Sequence, residues 1–415
     1  MTCPYSEPNC APGPSSDGQR CLCGRYVKHC SYCGIRNRAF ANHCRGCAIV
    51  LQPSNSNWSG YKGGSRRLGA SAPGIGTDCL TRLIDLRLRL GDSCRGLLGH
   101  DGHVVAVSLN GVVEIADPTR ARSVCRFQVQ GPMTAEPCIQ SGVLHLATRG
   151  QVSAYALASI TLETPRVQPL WQVELNGTPI QALTPAGNRL YVTVATPDGR
   201  EIHVIEDHQA RLLYSAPKVS WVAADPATTQ AVFLSETNGV VQMHLAGDGL
   251  TSHPLPLHSL GDHPIALLGD TVFGVFGDTQ RLYRLDARTG TIQEPLEEDT
   301  QLFALTNDGD TWDRDSVCID TRGIVFARRR VRDSFAPYER ATRGSPVIVQ
   351  DSAVAVGMED GRVLIYDLAR LPHHDVWRLG DTPITALASF DSYIVAGNKD
   401  GLVEVRELQP RGPAQ

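Results

Sequence analysis

The chain has no long hydrophobic run and no segment built like a secretory signal. No stretch approaches the roughly 18 consecutive apolar residues that a membrane-spanning helix requires. The first residues, MTCPYSEPNCAPG, lack both a basic start and an apolar core, so they do not resemble a signal peptide. These absences predict a cytoplasmic protein without membrane insertion.

Familiar catalytic motifs are missing as well. The sequence contains no G-x-x-x-x-G-K-[ST] loop, no G-x-S-x-G elbow and no H-E-x-x-H pair. The acidic stretch at 307–315 has Trp312 and Asp313 where a calcium loop needs a ligand and a glycine, so it indicates a turn between strands. The HHD stretch at 373–375 follows a proline and is typical of a solvated loop. We therefore expect a protein that is not an enzyme.

Charge is unevenly distributed along the chain. The net charge is −4, yet residues 1–70 contain nine Lys and Arg against two acids, Glu7 and Asp17. The rest of the chain is therefore acidic. This asymmetry predicts either an anionic partner for the basic segment or its docking on the acidic remainder.

Cysteines are concentrated at the start of the chain. Eight of the 13 lie within residues 1–47, and without a secretory signal such clustering favours metal binding over disulfides. The spacing Cys30-x2-Cys33-x10-Cys44-x2-Cys47 places four thiolates in the tetrahedral arrangement that Zn²⁺ prefers. Since the protein fills all four positions, this spacing predicts a structural zinc site.

A second set of four thiols precedes the first, with looser spacing. It predicts a second structural zinc ion, although free thiols, shared ligands or interleaved pairing between the two sets also fit the spacing. The members of this set are Cys3, Cys10, Cys21 and Cys23. The remaining cysteines, at 79, 94, 125, 138 and 318, are expected to be small packing residues.

Residues 1–51 resemble the zinc-ribbon family that includes bacterial double zinc ribbons. The matching features are Gly34 after the first knuckle, Asn37 three residues later and Leu51 after the last cysteine. Ala48 replaces the usual second glycine. The resemblance implies a double zinc ribbon that holds two structural Zn²⁺ ions.

The same cysteine spacing also resembles the Ran-binding-protein type of zinc finger. That resemblance implies binding of single-stranded RNA through arginines and a stacking aromatic ring, either Phe40 or Tyr32. Lys28 occupies the position of an expected Trp, and a solvated basic surface is the favoured interpretation. The arginines concerned are Arg36, Arg38 and Arg45.

Residues 52–78 are rich in Ser, Gly and Pro, which predicts a flexible linker. After this segment, a hairpin pattern recurs along the chain. Short β-branched runs flank a turn, and the turn recurs about every 41 residues, which is the length of one four-stranded propeller blade. The turn positions are 111, 150, 199, 239, 279, 323, 361 and 401. The pattern predicts a mainly β chain with an eight-bladed β-propeller. Seven blades remain an alternative if the hairpin at 272–286 or at 316–328 joins a neighbour.

The last hairpin ends at Leu408 and leaves its blade without an outer strand. The stretch LIDLRLRL (83–90), where Leu alternates with Arg, can supply that strand and join the two ends of the propeller. We expect the propeller to cover residues 79–410, with 411–415 as a tail.

Several of these hairpins resemble known propeller repeats. LYRLDARTG (282–290), LWQVEL (170–175) and VWRLG (376–380) are similar to pyrroloquinoline-quinone-type (PQQ-like) repeats, and GMEDGRVLIYDL (357–368) is similar to a tryptophan-aspartate (WD) repeat. The basic run at 327–343 has two equally favoured interpretations: contact with an anionic partner or an acidic protein loop, or an exposed long loop between blades without a partner. Its candidate contact residues are Arg328, Arg329, Arg330 and Arg332.

Together these features predict a non-catalytic, zinc-binding adaptor whose propeller is a platform for protein partners. Its resemblance to other ribbon-plus-propeller proteins implies a bacterial signalling or stress assembly. The alternative is binding of single-stranded RNA through the ribbon. A quinoprotein-type oxidoreductase is a remote alternative, because that family implies export, calcium and often an adjacent Cys-Cys pair.

Overall fold

In the computed structural model, the regular secondary structure of the described residues is almost entirely β-strand. The described residues contain 34 strands and one four-residue helix. They are 27–29, 36–38, 79–160, 167–225, 230–261, 263–268, 270–276, 281–292, 300–305, 316–320, 325–329, 331–335, 347–349, 353–367, 374–390 and 393–410.

Two short strands pair near the start of the chain, and a long strand precedes the repeated hairpins. The three are β1 (Val27–His29), β2 (Arg36–Arg38) and β3 (Cys79–Arg89). The first sheet then contains β4 (Cys94–His100), β5 (His103–Ser108), β6 (Val112–Asp117) and β7 (Arg122–Gln128).

The second and third sheets repeat this four-stranded antiparallel order. The second contains β8 (Cys138–Gln140), β9 (Val143–Thr148), β10 (Gln151–Ala156) and β11 (Trp171–Glu174), with α1 (Leu157–Ile160) after β10. The third contains β12 (Thr178–Ala186), β13 (Arg189–Thr196), β14 (Gly199–Glu206) and β15 (Gln209–Ala216).

The fourth and fifth sheets depart slightly from the pattern. In the fourth, two short strands replace one inner strand: β16 (Lys218–Val219), β17 (Ala223–Ala224), β18 (Ala231–Thr237), β19 (Val240–Ala246) and β20 (Leu250–Pro254). In the described residues the fifth has three strands: β21 (Ala266–Leu268), β22 (Thr271–Phe276) and β23 (Arg281–Asp286).

The last three sheets are again four-stranded, and the eighth takes its outer strand from β3. The sixth contains β24 (Thr300–Leu305), β25 (Ser316–Asp320), β26 (Val325–Arg329) and β27 (Val331–Phe335). The seventh contains β28 (Val347–Val349), β29 (Ala353–Gly357), β30 (Arg362–Asp367) and β31 (His374–Arg378). The eighth adds β32 (Ile384–Phe390), β33 (Tyr393–Asn398) and β34 (Leu402–Pro410).

Consecutive sheets pack against one another in a closed cycle. An inner strand of each sheet contacts the next sheet, and β32 of the eighth sheet contacts β4 of the first. Apolar side chains fill the spaces between neighbouring sheets, because a single sheet cannot bury both of its faces alone. Cys94 and Cys138 are buried in these layers as free thiols, which confirms the packing role predicted for them.

Strand β3 closes the ring, as the sequence predicted. It pairs antiparallel with β34, with Cys79 opposite Pro410 and Arg89 opposite Leu402. The side chains of Leu86, Leu88 and Leu90 are at most 3% exposed, and the intervening arginines are exposed. The alternation of leucine and arginine therefore specifies which face of β3 enters the core.

Charged groups reinforce this closure. The buried carboxylate of Glu404 on β34 forms ion pairs with Arg87 of β3 at 3.2 Å and with Arg406 at 3.0 Å. Arg126, on the outer strand of the first sheet, donates to the Arg89 carbonyl of β3 at 2.7 Å. These contacts tie the closing strand to its own sheet and to the next one.

Truncation of Leu88 tests the closure. Leu88→Ala should lower the free energy of unfolding by about 3 kcal/mol, because the side chain is fully buried between sheets. Arg89→Ala, on the neighbouring exposed position, should change it by less than about 0.5 kcal/mol. Urea unfolding followed by circular dichroism measures both, and equal effects would contradict the placement of β3.

Candidate functional site

One end of the ring is built from the turns between the second and third strands and from the linkers that join successive sheets. We call this end the linker face. It is defined by the turns at 109–111, 149–150, 359–361 and 399–401 and by the linkers at 90–93, 129–137, 175–177 and 379–383. At this end, each turn carries one of the glycines that mark the sequence repeat.

These glycines have positive φ angles and lie against the neighbouring linker. Gly361 and Gly401, for example, have φ values of 82° and 77°, a region that favours glycine. In four sheets the residue after the outer strand donates its N–H to the turn glycine carbonyl. The pairs are Val129 to Gly111 (3.0 Å), Leu175 to Gly150 (2.8 Å), Leu379 to Gly361 (2.9 Å) and Leu90 to Gly401 (2.8 Å).

Further backbone hydrogen bonds cross from one sheet to the next on the linker face. The Met133 N–H donates to the Leu109 carbonyl at 2.7 Å and so joins the second sheet to the first. The Ile384 N–H donates to the Met358 carbonyl at 3.1 Å and joins the eighth sheet to the seventh. Because these bonds are between backbone atoms, they hold the turns in fixed positions independently of the side chains at the other turn positions.

Side chains at β-bulges in the inner strands add a second set of links. Thr385 interrupts the register of β32 and donates to the Cys94 carbonyl at 2.8 Å. Arg95 does the same in β4 and donates to the Thr134 carbonyl at 3.3 Å. Bulges re-aim side chains, and here they direct them to the next sheet in the ring.

The exposed groups of the linker face are mixed in character. Leu109 is 40% exposed, and the turns and linkers of the whole face contain six acidic residues against Arg149 and Lys399. Two of the acids are paired locally in the seventh sheet and the linker after it, Asp360 with Arg362 at 2.6 Å and Asp381 with Arg378 at 2.7 Å. The linker face therefore presents one exposed apolar side chain on a fixed, mainly acidic surface.

A buried histidine lies between the second and third sheets. His145 is 4% exposed, and its ring is 5.5 Å from that of Trp171, which stacks on His208 at 5.4 Å. Burial lowers the pKa of His145 to about 4, so the ring is neutral near pH 7. This stack packs two sheets together. Trp171 belongs to the stretch LWQVEL (170–175), which resembles a propeller repeat in the sequence.

The structure corrects the prediction for the basic run. Arg328 and Arg329 lie in β26 and Arg332 lies in β27, with Arg328 opposite Arg332. This part of the run is therefore a hairpin within the sixth sheet, and not a loop between blades. Arg330 lies outside the described residues.

The predicted zinc ligands also lie outside the described residues. These are Cys3, Cys10, Cys21, Cys23, Cys30, Cys33, Cys44 and Cys47, and Arg45 is outside them as well. Arg36 and Arg38 form the ends of β2, opposite His29 and Val27. In the described part of the chain, no three His, Cys, Asp or Glu side chains gather as a metal site.

Of the other two stretches considered in the sequence, only part of one lies within the described residues. Residues 307–315 are outside the described ranges, and His374 and Asp375 belong to β31, although the sequence suggested a loop there. The Asp375 carboxylate accepts the N–H of Val376 at 2.9 Å. No described helix is long and apolar enough to cross a membrane.

The side chains of the inner strands that link neighbouring sheets could not be found from the sequence. Arg95 and Thr385 are neither part of a motif nor separated by a recurring spacing. The alternation of buried and exposed residues is interrupted at a bulge, and a single sequence gives little indication of where that interruption falls.

No known protein family matches the chain, and no curated protein is detectably similar to it in sequence. Solved structures do resemble it. The computationally designed Ika8 protein is 18% identical with a TM-score of 0.58, and the alignment covers 79% of this chain and 100% of that one. BamB from Moraxella catarrhalis is 16% identical with a TM-score of 0.57 and the same coverage.

A quinohemoprotein alcohol dehydrogenase from Comamonas testosteroni is also similar in structure. It is 9% identical with a TM-score of 0.60, and the alignment covers 87% of this chain and 82% of that one. Identities this low show the fold alone. With the ring of sheets described above, they confirm that the chain contains a β-propeller.

Two glycine substitutions test the rigidity of the linker face. Gly401 and Gly102 have nearly the same φ, 77° and 75°. A Cβ on Gly401 would fall against the Asp92 carbonyl, whereas nothing lies within 4 Å of one on Gly102.

Both Gly→Ala changes should cost about 1 kcal/mol of backbone strain. Gly401→Ala should lose about 1–3 kcal/mol more through the clash with the linker. Thermal and urea unfolding of the two variants provide the comparison. Equal losses would show that the linker does not pack on this turn.

Proposed function

We propose that the protein is a non-catalytic cytoplasmic scaffold that holds protein partners on its propeller and on its N-terminal zinc ribbon. One observation carries the proposal: the linker face is a set of turns fixed by backbone hydrogen bonds, with Leu109 exposed within a polar rim. Preorganised surfaces of this kind bind without an ordering cost. The similarity to other propellers supports the fold of the platform and nothing beyond it.

We further propose that each of the eight sheets is one blade, with residues 79–410 as the propeller. The hairpins at 272–286 and 316–328 lie in separate sheets, which supports eight blades over seven. The designed Ika8 protein and BamB each align over their full length with 79% of this chain. This share is consistent with a propeller that begins after the proposed linker at 52–78.

The double zinc ribbon of residues 1–51 is part of the same proposal. Strands β1 and β2 pair antiparallel, with His29 opposite Arg36, and enclose the first C-x2-C pair between them. A short hairpin around two cysteines is the local structure that a zinc knuckle requires. This pairing supports Cys30 and Cys33 as ligands of one structural site.

Binding of single-stranded RNA remains the rival function. It is favoured by the placement of Arg36 and Arg38 in one short strand of a segment that is strongly basic. The setting we propose, a bacterial signalling or stress assembly, rests on the resemblance of the ribbon-plus-propeller arrangement alone. The only support for the quinoprotein alternative is the fold that this chain shares with the quinohemoprotein alcohol dehydrogenase.

Metal analysis tests the ribbon. The purified full chain should contain two zinc ions, and Cys44→Ser should lose about one of them, since a closed tetrahedral site needs all four ligands. Cys125→Ser is the matched control, because Cys125 is a free thiol in the propeller. Plasma mass spectrometry gives the metal content per chain. Less than one zinc ion per unmodified chain, or an equal loss of zinc in both variants, would contradict the prediction of a double zinc ribbon.

Affinity capture from the native cell tests the platform. The full chain and the 79–415 fragment should share a set of protein partners, and Leu109→Asp should reduce their recovery about tenfold by burying a charge at the interface centre. Leu170→Asp is the control, since Leu170 is 57% exposed and lies just before the outer strand β11, away from the linker face.

If neither the full chain nor the fragment recovers anything but nucleic acid, the scaffold proposal fails. RNA recovered by the full chain, lost from the 79–415 fragment and steeply reduced by salt, would favour the rival.

A further inference from the structure

A chain of four hydrogen-bonded side chains runs between the third and fourth sheets. The Ser252 hydroxyl on β20 is 2.8 Å from Nδ1 of His244 on β19. Nε2 of His244 is 2.7 Å from the hydroxyl of Ser235 on β18. The Ser235 hydroxyl is in turn 3.0 Å from that of Tyr214, on β15 of the third sheet. The chain thus runs from one sheet, through the buried ring, to an exposed serine.

Strand register brings the serine and the histidine together. Ser252 lies directly opposite His244, and the neighbouring Leu255 N–H donates to the Val241 carbonyl. Alternate pairs of an antiparallel ladder are hydrogen-bonded, so Ser252 and His244 form a non-hydrogen-bonded pair, in which side chains approach most closely. The Ser252 N–H therefore points away from β19, toward the open edge of the sheet.

The histidine is held in one place and in one charge state. His244 is completely buried, and its ring stacks on Phe233 at 4.8 Å and contacts Tyr214 at 4.2 Å. Burial lowers its pKa to about 4, so the ring is neutral at neutral pH. Tyr214 is the titratable side chain that these contacts bring against it. A neutral imidazole has one nitrogen that donates and one that accepts.

The direction of the hydroxyl chain decides which nitrogen accepts. When Ser235 donates to Tyr214, its oxygen is free to accept from Nε2–H of His244. Nδ1 is then left as the acceptor for the Ser252 hydroxyl. A nucleophile, a base and a group that orients the base are the three parts of an activated serine.

The serine is open to solvent beside an exposed leucine. Leu250, two residues before Ser252 on the same face of β20, is 38% exposed. An apolar acyl group can contact this side chain while its carbonyl meets the Ser252 hydroxyl. The outward Ser252 N–H lies on the same strand as a donor for the carbonyl oxygen.

We propose that Ser252 is a nucleophile that accepts an acyl group from activated carboxylic esters, with His244 as its general base. The Ser252 oxygen forms a bond to the ester carbonyl carbon, and its proton passes to Nδ1 of His244. The bond from that carbon to the leaving oxygen breaks, and the leaving group departs with the electron pair and takes the proton from Nδ1. Ser235 and Tyr214 are positioning residues. This acylation is a single-turnover modification of the chain, and it is independent of the scaffold role because Ser252 lies within the outer strand β20 and not on the linker face.

The full chain with p-nitrophenyl butyrate as the acyl donor tests the proposal. We expect release of about one nitrophenolate per chain in a burst, and a butyryl group on the peptide that contains Ser252. Ser252→Ala should abolish both. Ser123→Ala is the matched control, because Ser123 is also exposed on an outer strand but lies opposite Ala116. Butyrylation that survives in Ser252→Ala, or that is equal at Ser123, overturns the proposal.

The Tyr214→Phe variant separates a positioning role from a packing role. The ring remains, but Ser235 loses its acceptor and turns to donate to Nε2, so Nδ1 carries the proton and no longer accepts from Ser252. The burst rate should fall about 100-fold, the range of general-base assistance, with circular dichroism unchanged.

The pH profile supplies a second readout. With a base of pKa about 4, the burst rate should stay level from pH 8 to 5 and fall only below that. An unchanged rate in Tyr214→Phe, or a rate that rises steadily with pH as for an unassisted hydroxyl, would show that the four groups only pack the sheets together.

Discussion

The pairing of β3 with β34 is the contact on which the rest of the structure depends. Each sheet buries its faces only against its neighbours, so an open ring would expose the apolar layer between the eighth sheet and the first. The two strands come from opposite ends of the propeller, and their association closes the longest loop in the fold. Buried leucines on one side of β3, and Glu404 between two arginines, stabilise that association.

Closure also determines which end of the ring is available to partners. Cys79 and Pro410 are paired, so the preceding segment and the tail both leave from the end opposite the linker face. The linker face is formed by turns whose backbones are bonded to adjoining linkers. The proposed scaffold would therefore have its linker face at the end of the propeller opposite Cys79 and Pro410, and a tethered ribbon would raise the local concentration of one partner near the other.

Periodic features were the predictable ones. Glycine turns recur because positive φ is required wherever a turn packs on a linker, and six of the eight turn positions chosen from the sequence are glycines with positive φ. The closing strand was predictable because leucine and arginine alternate in it. Arg95 and Thr385 were not, because a bulge breaks the alternation without a residue signature. The basic run was misjudged because strands β26 and β27 carry charge without the usual apolar alternation.

The four-residue chain at Tyr214 was unpredictable for a different reason. Its members are brought together by strand register and by contact between two sheets, which no local pattern encodes. His145 is a second buried histidine, and burial alone explains its low pKa. Both histidines are buried and both have a pKa of about 4, yet neither ring nitrogen of His145 has a hydrogen-bond partner in the described part of the chain.

The low pKa is therefore a consequence of desolvation and does not distinguish a packing role from a chemical one. What distinguishes His244 is that both of its nitrogens meet hydroxyls, one of which is open to solvent. Since an apolar side chain could fill the same space without these bonds, the arrangement of donors and acceptors at His244, and not its pKa, is the feature that needs a chemical explanation.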